Sequence, residues 1–535
     1  MEKIKQISIN LTPNRWIKTI LAENKYFYLY KFMAESYFFS ELENIKEMKL
    51  PYIYIESNDE QQIEYIEIST GLVRVVPVFY KVEQGTLFIS DDINTLINEK
   101  SLVNYNSLKE FLVFSYVLED RTLLDEIKQV QAGEVLKGKI NSNLHKEDYF
   151  IYDEGEEFKL GKEELIDCFE DVLYKTFELY TQKLKNKIII VPLSGGYDSR
   201  LIVTMLKEFG FKDVLCVSYG VKGNFETRKA SIVSEKMKYD LDIVVYRPEE
   251  IISLYKNKYY FNYKEYAAQK SSLAVSQEFI TMEYLKQKYN FSKDEVVFMP
   301  GHTGDFVSGS HIPYRLLKNA SFDALKLSIF ERHSLREGGK QNILDNYPFK
   351  FKEQYKNIEY FDWRERQSKF IVNANRNYDF NGYSWVLPYW FNDYVLFWCK
   401  VPLVYKYQKN LYDEYLEENI FKKYDLDFDK QERINIRKKN NNYSYIKLKE
   451  IVHKSYMVKK IYKKFKKNYN PLFGYTNIGE DILQITKEKF PFGNQKLNSI
   501  IDKEFGLNRN RVNINAYLTE FYLSKILEEH KVDEL

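Results

Sequence analysis

A run of β-branched residues that ends in two glycines constrains this chain more than any other feature of its sequence. Residues 188–200 read IIIVPLSGGYDSR, and a helical pattern begins near Asp198 and continues to about Phe209. Gly195 and Gly196 allow backbone conformations that other residues resist, so successive N–H groups can point into one concavity. The helix that follows adds the positive end of its dipole. The strand, turn and helix together predict a binding site for a phosphate chain.

The carboxylate of Asp198 lies inside this predicted anion site and would repel phosphate unless a cation lay between them. We therefore expect Mg²⁺ to bridge the carboxylate and the phosphate oxygens. The lysine that a GxxxxGK[ST] loop requires is absent from the turn, so this is not a Walker A sequence. The alternative is an ordinary glycine turn that is capped by Asp198.

The order of predicted strands and helices divides the chain near residue 155. Before it, short runs such as YIYIES, IEYIEIS and TLFIS alternate with turn residues, which predicts an α+β domain built on an antiparallel sheet over residues 1–155. From about residue 160, strands and helices alternate, which is typical of a parallel, doubly wound α/β sheet. We expect this α/β domain, with a helical C-terminal part, to span residues 156–535. Ligands of such sheets bind beyond the carboxyl ends of the strands, where SGGYDS and residues 301–311, GHTGDFVSGSH, are predicted to lie.

Composition argues against several classes of protein. The 79 basic and 77 acidic residues give a formal charge of +2, so a general affinity for nucleic acid is not indicated. Cys168, Cys216 and Cys399 stand far apart with no CxxC spacing, which argues against a disulfide framework or a thiolate metal site. No stretch approaches the ~18 apolar residues of a membrane span, and the N-terminus lacks the pattern of a cleaved signal. We expect a cytoplasmic protein without a transmembrane segment.

The pattern SGGYDS after a buried strand resembles the SGGxDS signature of the PP-loop ATP pyrophosphatases, which split ATP between its α and β phosphates. The segment PGHTGDFVSG resembles the SGEGSDExxGG segment of asparagine synthetases, with matches at Gly301, Asp305 and Gly309. Upstream, GLVRVVPVFYK, TLFISDDINTL and RTLLDEIKQVQAGEVL resemble, in order, segments of the glutaminase half of these enzymes. The resemblance to the asparagine synthetase and β-lactam synthetase superfamily covers residues 60–310 and, more weakly, 381–402.

This resemblance implies ATP and Mg²⁺ as cofactors, with Asp198 and Asp305 as the metal ligands. It also implies a degenerate Ntn glutaminase-like fold for residues 1–155 and a PP-loop synthetase fold for residues 156–535. The position of His302 carries glutamate in asparagine synthetases; a histidine there could take a proton from an attacking amine, or it could form a polar wall of the pocket. The implied contacts to ATP and pyrophosphate are Leu193, Ser194, Gly195, Gly196, Asp198, Ser199 and Gly301.

Two further expectations concern the remaining catalytic groups. The family has a catalytic lysine after its LPxWxxD-like region, and we choose Lys430 for this role over Lys438 and Lys439. The glutaminase half of the family uses an N-terminal cysteine whose own amine assists the thiol. Here Met1 is followed by Glu2 and no cysteine precedes Cys168, so we expect no glutamine hydrolysis by this chemistry.

These features predict an ATP-dependent amide-forming ligase that activates a carboxylate as an acyl adenylate and transfers it to an amine or free ammonia. The expected partners are a small-molecule, sugar-acid or peptide carboxylate and an amine, with no specific nucleic acid; a homodimer is left open. A non-catalytic scaffold and a tRNA-modifying PP-loop enzyme are the alternatives. The even charge and the missing CxxC argue against the tRNA enzyme. A basic insert at 430–470 is predicted to form a helix whose lysine face is either solvated or attached to an acidic surface.

Overall fold

A computed structural model describes residues 3–336, 341–431, 478–505 and 510–532. From residue 432 onward, the basic insert predicted at 430–470, with Lys438 and Lys439, lies outside the described residues. Antiparallel sheets before residue 155, a parallel sheet after it and a helical C-terminal part confirm the predicted mixed α/β architecture. No helix among the described residues is long and apolar enough to cross a membrane.

The strands of the described residues before 155 form two facing sheets. An antiparallel sheet has the order β10-β9-β5-β4-β3-β2, and the other sheet has the order β1-β7-β6-β8. The strands are β1 Gln6–Asn10, β2 Trp16–Ala22, β3 Lys25–Tyr30, β4 Tyr52–Ser57, β5 Ile63–Ser69, β6 Phe79–Glu83, β7 Thr86–Ser90, β8 Lys128–Gln129, β9 Glu134–Lys139 and β10 His145–Asp148. β1 runs parallel to β7, which departs from the purely antiparallel pattern that the sequence predicts.

Alternating isoleucines explain why these two sheets pack face to face. Ile53 and Ile55 of β4 pair directly with Ile68 and Ile66 of β5, and all four side chains are buried. Residues two apart in a strand point to the same face, so the pairs form one apolar surface. Leu87 of the other sheet belongs to the same buried cluster. The result is a sandwich with its own small core.

A parallel sheet begins with β11, whose sequence is IIIVP. Its order is β13-β12-β11-β14-β15, and each neighbouring pair is parallel. The strands are β11 Ile188–Pro192, β12 Val214–Gly220, β13 Asp240–Val245, β14 Val296–Phe298 and β15 Ser384–Trp385. The chain winds outward from β11 to β13 and then returns to the other side of β11 with β14. The carboxyl ends of β11 and β14 therefore flank a topological switch point, where ligands of such sheets bind.

Helices cover the parallel sheet and form the C-terminal part. Those up to residue 288 are α1 Leu42–Glu47, α2 Tyr105–Phe114, α3 Lys162–Lys183, α4 Tyr197–Glu208, α5 Phe225–Met237, α6 Pro248–Leu254, α7 Lys258–Ala268 and α8 Phe279–Lys288. The later ones are α9 Gly304–Val307, α10 Phe322–His333, α11 Gln354–Phe361, α12 Arg376–Phe380, α13 Asn392–Lys400, α14 Leu403–Lys406, α15 Asn410–Tyr415, α16 Ile478–Lys489, α17 Pro491–Phe505 and α18 Ile514–Glu529. A π-helical segment, Asp362–Ile371, continues α11. One buried apolar cluster runs from the N-terminal sheets through the parallel sheet to α18.

Candidate functional site

The turn after β11 is braced by its own hydroxyl groups. The N–H of Ser194 donates to Oγ of Ser199 at 3.1 Å, and the N–H of Gly196 donates to Oγ of Ser194 at 3.2 Å. The two hydroxyl oxygens lie 3.1 Å apart. Leu193, just before the turn, is buried and donates its N–H to the carbonyl of Val217 in β12. The turn therefore keeps its shape through contacts within six residues and one neighbouring strand.

A buried arginine supports this turn from below. Nη2 of Arg200, in the first turn of α4, donates to the carbonyl of Gly195 at 3.3 Å. Nη1 donates to the carbonyl of Leu426 at 2.6 Å and to Asp429 at 2.9 Å. Lys229 of α5 binds the same aspartate at 2.8 Å. Because the guanidinium is fully buried and holds a carbonyl of the turn, it fixes the backbone that would face a phosphate.

The loop after β14 approaches this turn most closely at two glycines, Gly301 and Gly304. A Cβ atom on Gly301 would lie 2.9 Å from the backbone nitrogen of Ser199. A Cβ atom on Gly304 would lie 3.0 Å from Cγ of Asp198. The first distance is shorter than side-chain carbons adopt and is to backbone that cannot move aside, whereas the second would require the side chain of Asp198 to shift. The glycines of GHTGDF thus bring Asp305 to the start of α4.

The side chains of Asp198 and Asp305 meet at this point. The N–H of Asp305 donates to Oδ2 of Asp198 at 2.8 Å, and the hydroxyl of Tyr412 donates to Oδ1 at 3.0 Å. Asp305 itself accepts from the hydroxyl of Ser310 at 3.2 Å. The side chain of Asp305 is 46% exposed, so its carboxylate lies in a recess that is open to solvent. The structure therefore brings together the two residues that the sequence predicts as metal ligands.

The surroundings of these two carboxylates shift their pKa values in opposite directions. Burial, together with the nearby charge of Asp305, raises the pKa of Asp198 to about 6, against the opposing charge of Lys409. Burial also opposes ionisation of Asp305, but hydrogen bonding and charge from His311, with the charge of Lys409, outweigh it and lower the pKa of Asp305. Adjacent carboxylates of which one resists ionisation form a site that a divalent cation would stabilise.

The donor set fits Mg²⁺ held together with a nucleotide. Among the described residues, no group of three or more His, Cys, Asp or Glu side chains is arranged to hold a metal ion. Mg²⁺ is usually bound by one or two carboxylates together with substrate phosphates and water, rather than by a complete protein cage. Asp198 and Asp305 supply this smaller set, and the turn beside them is the predicted phosphate site.

Lys409 is the lysine whose charge acts on both aspartates. It lies directly before α15, forms an ion pair with Asp413 at 3.3 Å and is 14% exposed at its side chain. Lys430, which we chose from the sequence, instead forms an ion pair with Glu418 on the surface. The sequence segment KNLYDEY could have pointed to Lys409. Residues three and four apart lie on one face of a helix, so Tyr412 and Asp413 are spaced to lie near this lysine.

His302 lies at the wall of the same recess. Its Nδ1 is 3.3 Å from Oδ1 of Asn375, which is fully buried. Burial lowers the pKa of His302, and the charges of Glu278 and Asp305 partly offset this effect. A neutral imidazole with a lowered pKa can accept a proton at neutral pH. This property is compatible with both predicted roles of His302, a general base for the attacking amine and a polar wall of the pocket.

A chain of buried titratable groups, which begins at His311, lies beside the carboxylate of Asp305. Nε2 of His311 lies 3.7 Å from Oδ2 of Asp305, and its Nδ1 lies 2.5 Å from Oδ2 of Asp362. Asp362, in the π-helical segment, is fully buried. Nε2 of His333 lies 2.8 Å from Oδ1 of Asp362, but the two groups are not aligned as a hydrogen bond. Burial lowers the pKa of His333 to about 4, whereas Asp362 overcomes burial and raises the pKa of His311. The surroundings therefore favour the charged form of His311 and the neutral form of His333.

A cleft of about 620 Å³ opens elsewhere, between α3 and α13. Its lining is mostly apolar and includes Phe39, Val172, Leu179, Phe391 and Phe397. None of the residues predicted for the nucleotide site lines this cleft. This cleft is therefore separate from the paired carboxylates.

Two comparisons with known proteins find no match for this chain. A scan against models of protein families finds no family that matches, and a search of curated proteins finds no similar protein. The resemblance to asparagine synthetases therefore stays a prediction from the quoted motifs.

Proposed function

We propose that the chain is an ATP-dependent amide-forming ligase of the asparagine synthetase superfamily. The observation that supports this most strongly is the meeting of Asp198 and Asp305 beside a braced glycine turn, at the switch point of a parallel sheet. A phosphate chain and a divalent cation are the ligands that suit a glycine turn, a helix N-terminus and a carboxylate pair in one recess. The carboxylate substrate is a small molecule, a sugar acid or a peptide.

Each group of the recess has a role in this proposal. The turn from Ser194 to Ser199 would bind the phosphates of ATP, and Gly301 would line the same pocket. Asp198 and Asp305 would hold Mg²⁺, which when bound neutralises charge on the departing pyrophosphate. The charge of Lys409 acts on both carboxylates, and Lys409 would stabilise the negative charge that develops during phosphoryl transfer.

The reaction has two steps, because an oxide is too poor a leaving group for an amine to displace. First, the carboxylate oxygen of the substrate attacks the α phosphorus of ATP; the bond to the β phosphate breaks and pyrophosphate leaves. Next, the amine nitrogen attacks the acyl carbon, the bond to AMP breaks and the nitrogen loses a proton. His302 is our candidate to accept this proton, given its lowered pKa and its place at the wall of the recess.

A product analysis tests the proposal. Purified protein would be incubated with ATP, Mg²⁺ and pools of sugar acids, amino acids and peptides, together with ammonia or amines, and the nucleotides would be separated. We expect AMP and pyrophosphate in equal amounts, dependent on a carboxylate, and neither product from Asp198→Asn. ADP as the sole product would contradict the proposal. If no pool yields AMP and the Asp198→Asn variant keeps the cellular phenotype of the wild type, a non-catalytic scaffold replaces it.

A further inference from the structure

Glu278, in the loop that leads into α8, presents a carboxylate at the same edge of the parallel sheet as the two aspartates. Its Oε1 accepts a hydrogen bond from the hydroxyl of Tyr219 at 2.8 Å. Its Oε2 accepts one from the hydroxyl of Tyr378. Tyr219 is the penultimate residue of β12, the strand next to β11, so the cluster lies beside the turn that starts α4.

The position of this carboxylate is fixed, but its charge is not matched. Tyr378 is buried and stacks on Phe298 of β14 with ring centroids 4.2 Å apart, while Tyr219 stacks on Tyr246 at 5.6 Å. Both hydroxyls are neutral donors, and a carboxylate can accept about four hydrogen bonds. Across the described residues, no Lys, Arg or His nitrogen lies within ion-pair distance of Glu278, which stays partly exposed. Two hydrogen bonds from tyrosines therefore leave acceptor positions of the Glu278 carboxylate available to a ligand.

A second, independent observation marks the same place as a binding site. Asn375 is fully buried, and its Nδ2 has no hydrogen-bond partner among the described residues. Its Oδ1 lies 3.3 Å from His302, whose ring also lies close enough to Glu278 to feel its charge. A buried amide donor without a partner costs free energy unless a ligand supplies the acceptor. The recess therefore offers an anion and a donor to one polar ligand.

We propose that Glu278, held by Tyr219 and Tyr378, binds the amino group of the substrate that accepts the acyl group, as an ammonium that gives one proton to water before its nitrogen attacks, and that Asn375 binds an oxygen next to that group. This inference rests on the proposed ligase function and narrows its acceptor to a primary amine with a neighbouring carbonyl or hydroxyl oxygen. Free ammonia would satisfy Glu278 but would leave the amide of Asn375 without a partner. The acceptor is accordingly an organic amine.

Binding can be measured without ATP, by ligand-observed NMR with glycinamide as the probe. N-acetylglycinamide is the matched probe, because it keeps the carbonyl and removes the positive charge. We expect glycinamide to bind the wild type and N-acetylglycinamide to bind at least about 10-fold more weakly, as expected for a hydrogen bond to a charged group. Glu278→Gln keeps an acceptor for one tyrosine and should weaken glycinamide binding by a similar factor.

Two controls separate this inference from the ligase proposal. Glu283→Gln removes a carboxylate of the same helix that pairs with Lys286, and it should leave glycinamide binding unchanged. Asp198→Asn should abolish AMP formation while glycinamide still binds. Equal binding of glycinamide by wild type and Glu278→Gln, or no binding by the wild type, would overturn the amine site even if AMP forms. The protein could also bind glycinamide, lose that binding in Glu278→Gln, and form no AMP with any substrate. That result would support the amine site and contradict the ligase proposal.

Discussion

The two loops that meet at the switch point are built in different ways. The turn after β11 is held by residues of its own segment, since Ser194 and Ser199 bond to each other and to nearby N–H groups. The loop after β14 depends on residues far along the chain, because Asp305 is supported by His311 and, through it, by Asp362 of the π-helical segment. One loop is a local motif, and the other is a product of tertiary structure.

The difference explains the opposite behaviour of the two carboxylates. Asp198 has no cation of its own segment next to it, so burial and the charge of Asp305 raise its pKa to about 6. Asp305 has His311 of the second loop beside it, and hydrogen bonding and charge from that histidine outweigh burial and lower the pKa of Asp305. A pair arranged in this way favours the charged form of Asp305 at neutral pH, while Asp198 would become fully charged when a cation binds. Substitutions at Asp198, Asp305 and the residues around them test this difference between the two carboxylates.

The largest effect is expected from neutralising either carboxylate. Asp198→Asn and Asp305→Asn each remove a charge that would face Mg²⁺, and AMP formation should fall on the order of 10³-fold, comparable with the loss of a strong electrostatic contact in other active sites. Initial rates at saturating ATP and Mg²⁺ are the measurement. A rate within a factor of a few of the wild type for either variant would show that the pair does not carry the chemistry.

The next effect distinguishes the lysine that the structure favours from the one that the sequence favoured. Lys409→Met removes the positive charge that acts on both aspartates, and AMP formation should fall about 10²-fold. Lys430→Met breaks a surface ion pair with Glu418 and should leave the rate unchanged within about twofold. The reverse order of the two rates would return the catalytic role to Lys430.

A stability measurement should separate the aspartates more sharply than activity does. The folded-state pKa of Asp198, about 6, exceeds its ordinary 3.8, so the stability that its protonation confers is present below pH 3.8 and is lost as pH rises through 6. In the metal-free protein above that pH, Asp198→Asn should raise the free energy of unfolding by roughly 1–3 kcal/mol, allowing for its partial exposure. Urea denaturation with a chelator, at about pH 7.5 and again near pH 4, measures the gain and its disappearance in acid.

Asp305→Asn is the counterpart of that experiment. The pKa of Asp305 is lowered in the folded state, so its charge stabilises the fold at neutral pH and the contribution is lost as pH falls below its ordinary range. The variant should therefore be less stable than the wild type at neutral pH, whereas Asp198→Asn should be more stable. A shift of the same sign in both variants would mean that the two loops do not differ as described.

The two loops also differ in how much of each could be predicted from the sequence. The strand, turn and helix around Gly195 and Gly196 were predictable, because the hydroxyl contacts that brace the turn come from Ser194 and Ser199 of the same segment. Tyr412 was not, since it bonds to Asp198 from 214 residues away and nothing in the turn specifies it. Lys409 was missed for the same reason: its charge acts on the aspartates through the fold.

The fold shows a similar limit. Strands such as Tyr52–Ser57 and Ile188–Pro192 carry enough β-branched residues to be recognised. The parallel pairing of Gln6–Asn10 with Thr86–Ser90 depends on a partner about eighty residues away. Ser384–Trp385 is only two residues long and shows no period. Local propensity identifies elements, whereas pairing is decided by packing against distant surfaces.

The smallest effect is expected from the support of Asp305, and it tests whether that support is a positioning role. Asp362→Asn keeps the size of the side chain but weakens its hold on His311, so Asp305 should be less well oriented toward a cation. Residues that orient metal ligands typically change metal affinity 10- to 100-fold, and here we expect about a 10-fold rise in the Mg²⁺ concentration that gives half-maximal AMP formation. The rate at saturating Mg²⁺ should stay close to that of the wild type.

The control is Asp345→Asn, which removes a carboxylate of a surface ion pair with Lys326 and should change neither quantity. If Asp362→Asn lowers the saturated rate and leaves the Mg²⁺ requirement unchanged, then the buried chain holds the fold together without orienting Asp305, and the second loop resembles the first more closely than its contacts indicate.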